Sequence, residues 1–306
     1  MLATGLVLTD ATLRALHFIY QYRYLTVSQV TAITGLHPKS TSGMLLRLER
    51  EKLVGFFGNI GIRGYGKTPK VYFLTKTGHA TLQTEGEFAG LDVGDYKPIN
   101  ITTRWSPQMY HRLATLDVLL ALERACMGLQ DYRLPATFVE YRRGKTRGGW
   151  VGETTDFVSD AHTPENRVVP DAGFVLENQA SRQRALFLIE VDRGTERHVT
   201  EIREDVPKSF RNKIEQYDRY LKGGKFKARY APWGQFSHFV LLVITAGPGR
   251  VENMRRSLSD LPQEYHQFYR FSTQEAVVAN FFHGQWRGRS VHDQENYQLI
   301  KRRTAA

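Results

Sequence analysis

The chain has 306 residues, of which 41% are hydrophobic and 24% are charged, and this suits one large or two modest globular domains. Lys and Arg number 42 against 31 Asp and Glu, and the formal net charge of +11 favours polyanionic partners, chiefly nucleic acid or an anionic membrane face. The longest apolar run, Phe239 to Ala246, is too short to span a bilayer, so we expect no membrane insertion. The single cysteine, Cys126, excludes an internal disulfide framework, and a cytoplasmic location fits this composition.

The first 85 residues have the pattern of three helices followed by a β-hairpin. Apolar spacing predicts a helix over Thr9 to Tyr22, a short second helix opened by Thr26 or Ser28, and a third over Ser40 to Lys52. Two β-like runs follow, Val54 to Ile62 and Lys70 to Thr75. The order predicts a winged helix-turn-helix over residues 1–85, and residues 86–108, rich in turn-forming residues, are predicted to be a linker.

The predicted third helix and the loop of the hairpin carry the candidate DNA contacts. Residues 1–85 hold ten basic and four acidic side chains, so much of the excess charge lies in this part. Helix-turn-helix proteins place the second helix of the motif in the major groove, and a basic wing suits the minor groove or the backbone. An alternative is a winged helix used only for protein contacts. The predicted contact residues are Lys39, Ser40, Thr41, Ser42 and Arg47 on the helix and Arg63, Tyr65, Lys67 and Lys70 on the wing.

A second domain is predicted over residues 109–290, followed by a basic tail over 291–306. Its predicted elements have the order α-β-β-β-α-β, which indicates a mixed sheet with helices on its faces. The segment from Gly144 to Arg167 is polar and rich in glycine, and we expect a long loop or loose hairpin there.

Three acidic residues are predicted to converge at one end of two neighbouring strands. If the runs before and after Asn178 to Arg182 form a hairpin, Asp171 lies opposite Glu190, and Asp192 shares a face with Glu190. Carboxylate oxygens suit Mg²⁺ or Mn²⁺, so all three residues are candidate metal ligands and catalytic groups. The alternative is structural: Asp171 caps a strand, Glu190 pairs with Arg193 or Arg197, and Asp192 begins a turn.

The Pro170-Asp171 pair and the later Glu190-Val191-Asp192 motif resemble the PD-(D/E)xK nuclease superfamily over residues 109–246. Asp192 stands where that superfamily usually has lysine, and a lysine from the next helix can replace it; Lys213 is the first candidate and Lys208 the second. The whole chain resembles the replication-relaxation family of mobile elements, which overlaps the MOB-C class of relaxases. The resemblance rests on the winged helix, on His111 to Val118, on Pro170-Asp171, on Phe187 to Thr195, and on Lys213 to Tyr220.

These resemblances imply an α+β protein with an N-terminal winged helix-turn-helix followed by a restriction-endonuclease-like (PD-(D/E)xK) α/β domain. They imply a metal-dependent nicking relaxase or endonuclease that binds double-stranded DNA at an origin-like site, with relaxosome or replication proteins as further partners. The alternative is a non-catalytic replication or relaxosome accessory factor with a degenerate nuclease fold. A ligand-binding transcriptional regulator is a third hypothesis. Tyr217 and Tyr220 are minor candidates for a nucleophile, and Glu140 for a further ligand.

Overall fold

The computed structural model describes residues 8–62, 66–91, 93–96, 98–99, 107–146, 149–193 and 210–300. The chain divides into two compact units, Met1–Leu120 and Ala121–Ala306. Both units contain helices and sheets, which confirms the predicted mixture of α and β structure. In the part of the chain that is described, no helix is long and apolar enough to cross a membrane.

The first unit consists of helices around a small antiparallel sheet. Three helices begin at side-chain caps: Thr9 accepts from Thr12 N–H, Thr26 forms a capping box with Gln29, and His37 accepts from Lys39 N–H. The last helix of this unit, α5 (Pro107–Met127), continues into the second unit. In chain order the elements are α1 (Asp10–Tyr22), β1 (Leu25–Thr26), α2 (Val27–Thr34), α3 (Pro38–Arg50), β2 (Val54–Gly58), β3 (Gly61–Ile62), β4 (Gly66–Lys67), β5 (Lys70–Leu74), α4 (Lys76–Phe88) and α5 (Pro107–Met127).

The three predicted helices and the hairpin occur close to their expected positions. The sheet has the strand order β1-β5-β2, and β3 pairs with β4 as an extension of the hairpin. The core contains apolar residues from each helix, including Leu16 of α1, Val30 of α2 and Leu45 of α3, all fully buried. The two-residue strand β1, which pairs with β5, was not predicted.

Helix α4 was also not predicted, and it occupies the beginning of the proposed linker. Thr75 caps it by accepting a hydrogen bond from Gly78 N–H at 3.0 Å. A Cβ atom at Gly78 would lie 1.9 Å from the carbonyl oxygen of Leu53, so this close approach requires glycine. The helix ends at Phe88, two residues beyond the predicted start of the linker at residue 86.

The second unit is built on a seven-stranded sheet with the order β16-β15-β14-β13-β12-β11-β6. Strand β12 pairs antiparallel with β11 and parallel with β13, and β13 also pairs parallel with β14. The elements that follow α5 are β6 (Tyr132–Val139), β7 (Arg143–Thr146), β8 (Gly149–Gly152), β9 (Asp156–Phe157), β10 (Arg167–Val168), β11 (Ala172–Asn178), β12 (Arg184–Asp192), α6 (Phe210–Gly223), α7 (Lys225–Tyr230), β13 (Phe239–Thr245), α8 (Pro248–Ser257), β14 (Tyr269–Thr273), α9 (Gln274–Ala279), β15 (Trp286–Arg287) and β16 (Asn296–Tyr297).

The main core of this unit lies between one face of the sheet and helices α6, α7 and α8. Leu186 and Leu188 of β12 pack there with Ile214 and Tyr217 of α6. The alternation of inward residues continues to Glu190 and Asp192, which therefore share this helix-covered face. The predicted order α-β-β-β-α-β is found in α5, β6, β11, β12, α6 and β13, whereas α7, α9, β15 and β16 were not predicted.

Candidate functional site

The hairpin of β11 and β12 has the predicted register. Gly173 pairs with Leu188, and Glu177 pairs with Arg184. The next position beyond the Ala172–Ile189 pair sets Asp171 opposite Glu190. The Oδ2 atom of Asp171 accepts a hydrogen bond from the backbone N–H of Val191 at 2.8 Å, which fixes this carboxylate at the end of β12.

The backbone that carries Asp171 also accepts hydrogen bonds from residues outside the β11–β12 hairpin. The Thr154 hydroxyl donates to the carbonyl oxygen of Pro170 at 2.6 Å, and Glu140 N–H donates to the carbonyl oxygen of Asp171 at 3.0 Å. Thr154 is fully buried. The carboxylate of Asp171 is therefore attached to backbone that is fixed on both sides.

Both carboxylate oxygens of Glu190 have donors from helix α6. The Tyr217 hydroxyl donates to Oε1 at 2.5 Å, and Lys213 Nζ donates to Oε2 at 3.1 Å. Lys213 and Tyr217 are four residues apart, so one helix face carries both side chains. The first lysine candidate from the sequence therefore contacts the predicted carboxylate, while Lys208 lies outside the described residues.

Tyr217 is a partner of Glu190 that the sequence did not assign. Its side chain is 1% exposed, and burial raises its pKa well above the ordinary value; the charges of Glu190 and Asp171 raise it further. The phenol therefore stays protonated and acts as a hydrogen-bond donor. Burial likewise raises the pKa of Tyr220, whose hydroxyl donates to Asp156. Neither tyrosine has the properties of a nucleophile that must reach a phosphate.

The expectation that Asp192 joins the other two carboxylates is wrong. Asp192 is 7% exposed, and its Oδ2 accepts hydrogen bonds from Arg250 Nε and, at 3.4 Å, from the Thr245 hydroxyl. The parallel pairing with β13 sets Thr245 beside Asp192, and α8 then begins with Arg250 in its first turn. The cation that neutralises Asp192 is therefore an arginine of α8.

Among the described residues, no group of three or more His, Cys, Asp or Glu side chains is arranged to hold a metal ion. This corrects the predicted site of three carboxylates. Mg²⁺ is commonly held by one or two carboxylates and completes its shell with water and substrate phosphate. Asp171 and Glu190 fit such a two-carboxylate site in donor chemistry and register, and Asp192 does not.

The predicted DNA contacts on α3 fall mainly on an exposed basic face. Lys39, Ser40, Ser42 and Arg47 are exposed, and Arg50 lies on the same side of the helix. The prediction for Thr41 is wrong: its side chain is fully buried and donates to the carbonyl oxygen of His37 at 3.3 Å. It faces the core because it precedes the buried Leu45 and Leu48 by four and seven residues and so lies on the same face of the helix.

The predicted wing residues have different surroundings. Lys67 is exposed on β4. Lys70 pairs with Glu49 at 3.2 Å, and its Nζ lies 3.7 Å from the ring centroid of Phe56. Arg63 and Tyr65 lie outside the described residues.

A family model described as Replication-relaxation matches residues 16–234. No curated protein matches the chain. Among solved structures, the crystal structure of the YusO protein from Bacillus subtilis matches at 18% identity with a TM-score of 0.23, covering 38% of this chain and 75% of that chain. The family match takes in most of the chain and includes Asp171, Glu190, Asp192 and Lys213.

Proposed function

Since this chain belongs to the replication-relaxation family, we propose that it is a DNA-binding protein of a plasmid or integrative element that nicks one DNA strand at an origin-like site. Membership of the family indicates a role in the replication or mobilisation of such an element. The first unit supplies DNA binding, and the second supplies strand cleavage in a cytoplasmic setting.

The proposal treats the first unit as a winged helix-turn-helix. Its support is the order of α1, α2 and α3 before the hairpin of β2 and β5, together with the exposed basic face of α3. Lys39 and Arg47 neutralise phosphates or reach base edges from this face, and Lys67 contacts the backbone from the wing. Double-stranded DNA is the partner that this charge distribution favours.

The observation that carries the nuclease proposal is the contact of Lys213 with Glu190, which lies opposite Asp171 in the register of β11 and β12. A carboxylate pair followed by a nearby lysine is the arrangement of a PD-(D/E)xK nuclease. Mg²⁺ or Mn²⁺ held by Asp171 and Glu190 would polarise a phosphodiester and lower the pKa of an attacking water. Lys213 stabilises the negative charge that develops on phosphate, and Tyr217 orients Glu190 through Oε1.

The test is a nicking assay on supercoiled plasmid DNA that carries the origin of the protein's own element, with Mg²⁺ or Mn²⁺. The wild type is expected to relax the plasmid, and Asp171→Asn and Glu190→Gln are expected to abolish nicking. Glu215→Gln is the matched control, because Glu215 is a half-exposed carboxylate on α6 that pairs with Arg211. Nicking by both site variants at the wild-type rate would contradict the proposed site.

A non-catalytic accessory factor is the second candidate. The pairing of Asp192 with Arg250 favours it, because this pairing removes one of the three predicted ligands. This candidate predicts site-specific DNA binding by the wild type with no nicking under either metal. Relaxosome or replication proteins would then supply the chemistry at the bound site.

A further inference from the structure

Tyr217 and Lys213, the two donors to Glu190 that the described residues show, differ in how easily they can leave it. Tyr217 is fully enclosed in the core, and its ring packs edge-on against Phe239. Lys213 carries its ammonium group on a flexible stem, and its side chain is 27% exposed, whereas that of Glu190 is 4% exposed. The tyrosine is therefore a fixed donor, and the lysine is the donor that can move.

The position of Lys213 opposes the binding of a cation by Glu190. Its ammonium group lies 3.1 Å from Oε2, the oxygen that Tyr217 does not engage. A divalent cation at this oxygen would meet a positive charge at close range, in a partly buried setting where charges are weakly screened. Cation binding in the free protein must therefore work against the Lys213–Glu190 ion pair.

A DNA phosphate can relieve this conflict, because a phosphate oxygen is an equivalent partner for an ammonium group. We propose that Lys213 exchanges between Glu190 in the free protein and a phosphate in the DNA complex. The exchange removes the positive charge of Lys213 from the neighbourhood of Oε2, and metal binding at the site stays weak until DNA is bound. Tyr217 keeps Oε1 in place throughout. This inference rests on the proposed function, since it concerns the same two carboxylates.

Thermodynamic linkage gives the exchange a second consequence. If DNA strengthens cation binding by a given factor, the cation strengthens DNA binding by the same factor. The Lys213–Glu190 ion pair then couples the binding of the cation to the binding of DNA. It limits cleavage to protein in which Lys213 already contacts a DNA phosphate.

The test measures Mn²⁺ binding to the full chain without DNA, from the electron paramagnetic resonance signal of free Mn²⁺. Lys213→Met is expected to bind Mn²⁺ about tenfold more tightly than the wild type, the size of one charged hydrogen bond. Lys222→Met is the matched control, because Lys222 is an exposed lysine on the same helix, and its Mn²⁺ affinity is expected to match the wild type. Adding Glu190→Gln to Lys213→Met is expected to remove the gain.

Equal or weaker Mn²⁺ binding by Lys213→Met overturns the exchange. Circular dichroism checks the fold of each variant, and Lys213→Gln replaces Lys213→Met in the comparison if the latter is unfolded. If the wild type and the lysine variants all bind Mn²⁺ equally, the inference fails and the proposed function stands. If none of them binds Mn²⁺ and the wild type nicks no DNA, both fail.

Discussion

A buried ion pair connects helix α6 with the segment that follows β15. Arg289 Nη1 donates to Oδ1 of Asp218 at 2.8 Å, and the Tyr269 hydroxyl donates to the same oxygen at 2.5 Å. The side chains of Arg289 and Asp218 are 0% and 11% exposed. Among the described residues, Arg289 Nε and Nη2 have no hydrogen-bond partner, which makes this arginine costly to bury.

The energetics of this pair give a prediction in which two substitutions together are milder than either alone. Asp218→Asn leaves the Arg289 charge without its carboxylate, and Arg289→Met leaves the Asp218 charge without its cation. Each is expected to lower the free energy of unfolding by about 3–5 kcal/mol. The double variant buries neither charge, and the amide oxygen introduced by Asp218→Asn still accepts a hydrogen bond from Tyr269. The free energy of unfolding of the double variant is therefore expected to fall by only about 1–2 kcal/mol.

Urea unfolding followed by circular dichroism measures this double-mutant cycle. The control is Asp260→Asn, which breaks the exposed Arg211–Asp260 pair and is expected to leave the stability nearly unchanged, because water screens that pair. If the loss in the double variant equals the sum of the two single losses, the charges are not coupled and the reasoning is refuted.

Three further predictions follow from the site, the basic face of α3 and the cysteine. Lys39→Ala is expected to reduce the slope of log affinity for duplex DNA against log salt by about 0.9, because one phosphate contact is lost. Thr41→Val, at a buried position, is the control and should leave this slope unchanged. Equal slopes for the wild type and Lys39→Ala would place Lys39 away from DNA. Burial raises the pKa of Cys126 to about 12. Its reaction with Ellman's reagent at pH 8 should therefore be about a thousandfold slower in the native protein than in the unfolded protein. Similar rates in the two states would contradict this burial. Nicked DNA should carry no covalently bound protein, because burial and Glu190 keep Tyr217 protonated; an adduct that Tyr217→Phe removes would show the opposite.

Local patterns in the sequence predicted the elements that carry the site. The alternation of apolar residues and the turn after Asn178 were enough to fix the register of β11 and β12, including the pairing of Glu177 with Arg184. The pairing matters because Glu177 is 1% exposed and also accepts hydrogen bonds from Arg133 and Arg182. Strand alternation also predicted correctly that Glu190 and Asp192 share a face.

The partners of these carboxylates could not be predicted, because they come from distant parts of the chain. Arg250 reaches Asp192 only because β13 pairs parallel with β12, and apolar strands carry no signal of which neighbour they choose. Tyr217 had the apolar spacing of a core residue, and its hydroxyl meets Glu190 because α6 packs over β12. Thr41 was assigned to the exposed face for its place near the start of α3, whereas its spacing of four and seven residues from Leu45 and Leu48 places it on the buried face.

The parallel partner of β12 has a consequence for the order in which the chain is made. Strand β11 leaves the ribosome just before β12 and can form a hairpin with it at once. The opposite edge of β12, from Leu186 to Asp192, pairs with Phe239 to Thr245, which lie beyond the end of the family match at residue 234. Until that later stretch emerges, the strand that bears Glu190 has an open apolar edge. A nascent or shortened chain that stops at the family boundary would therefore expose this edge to aggregation, and the folding unit is longer than the segment by which the family is recognised.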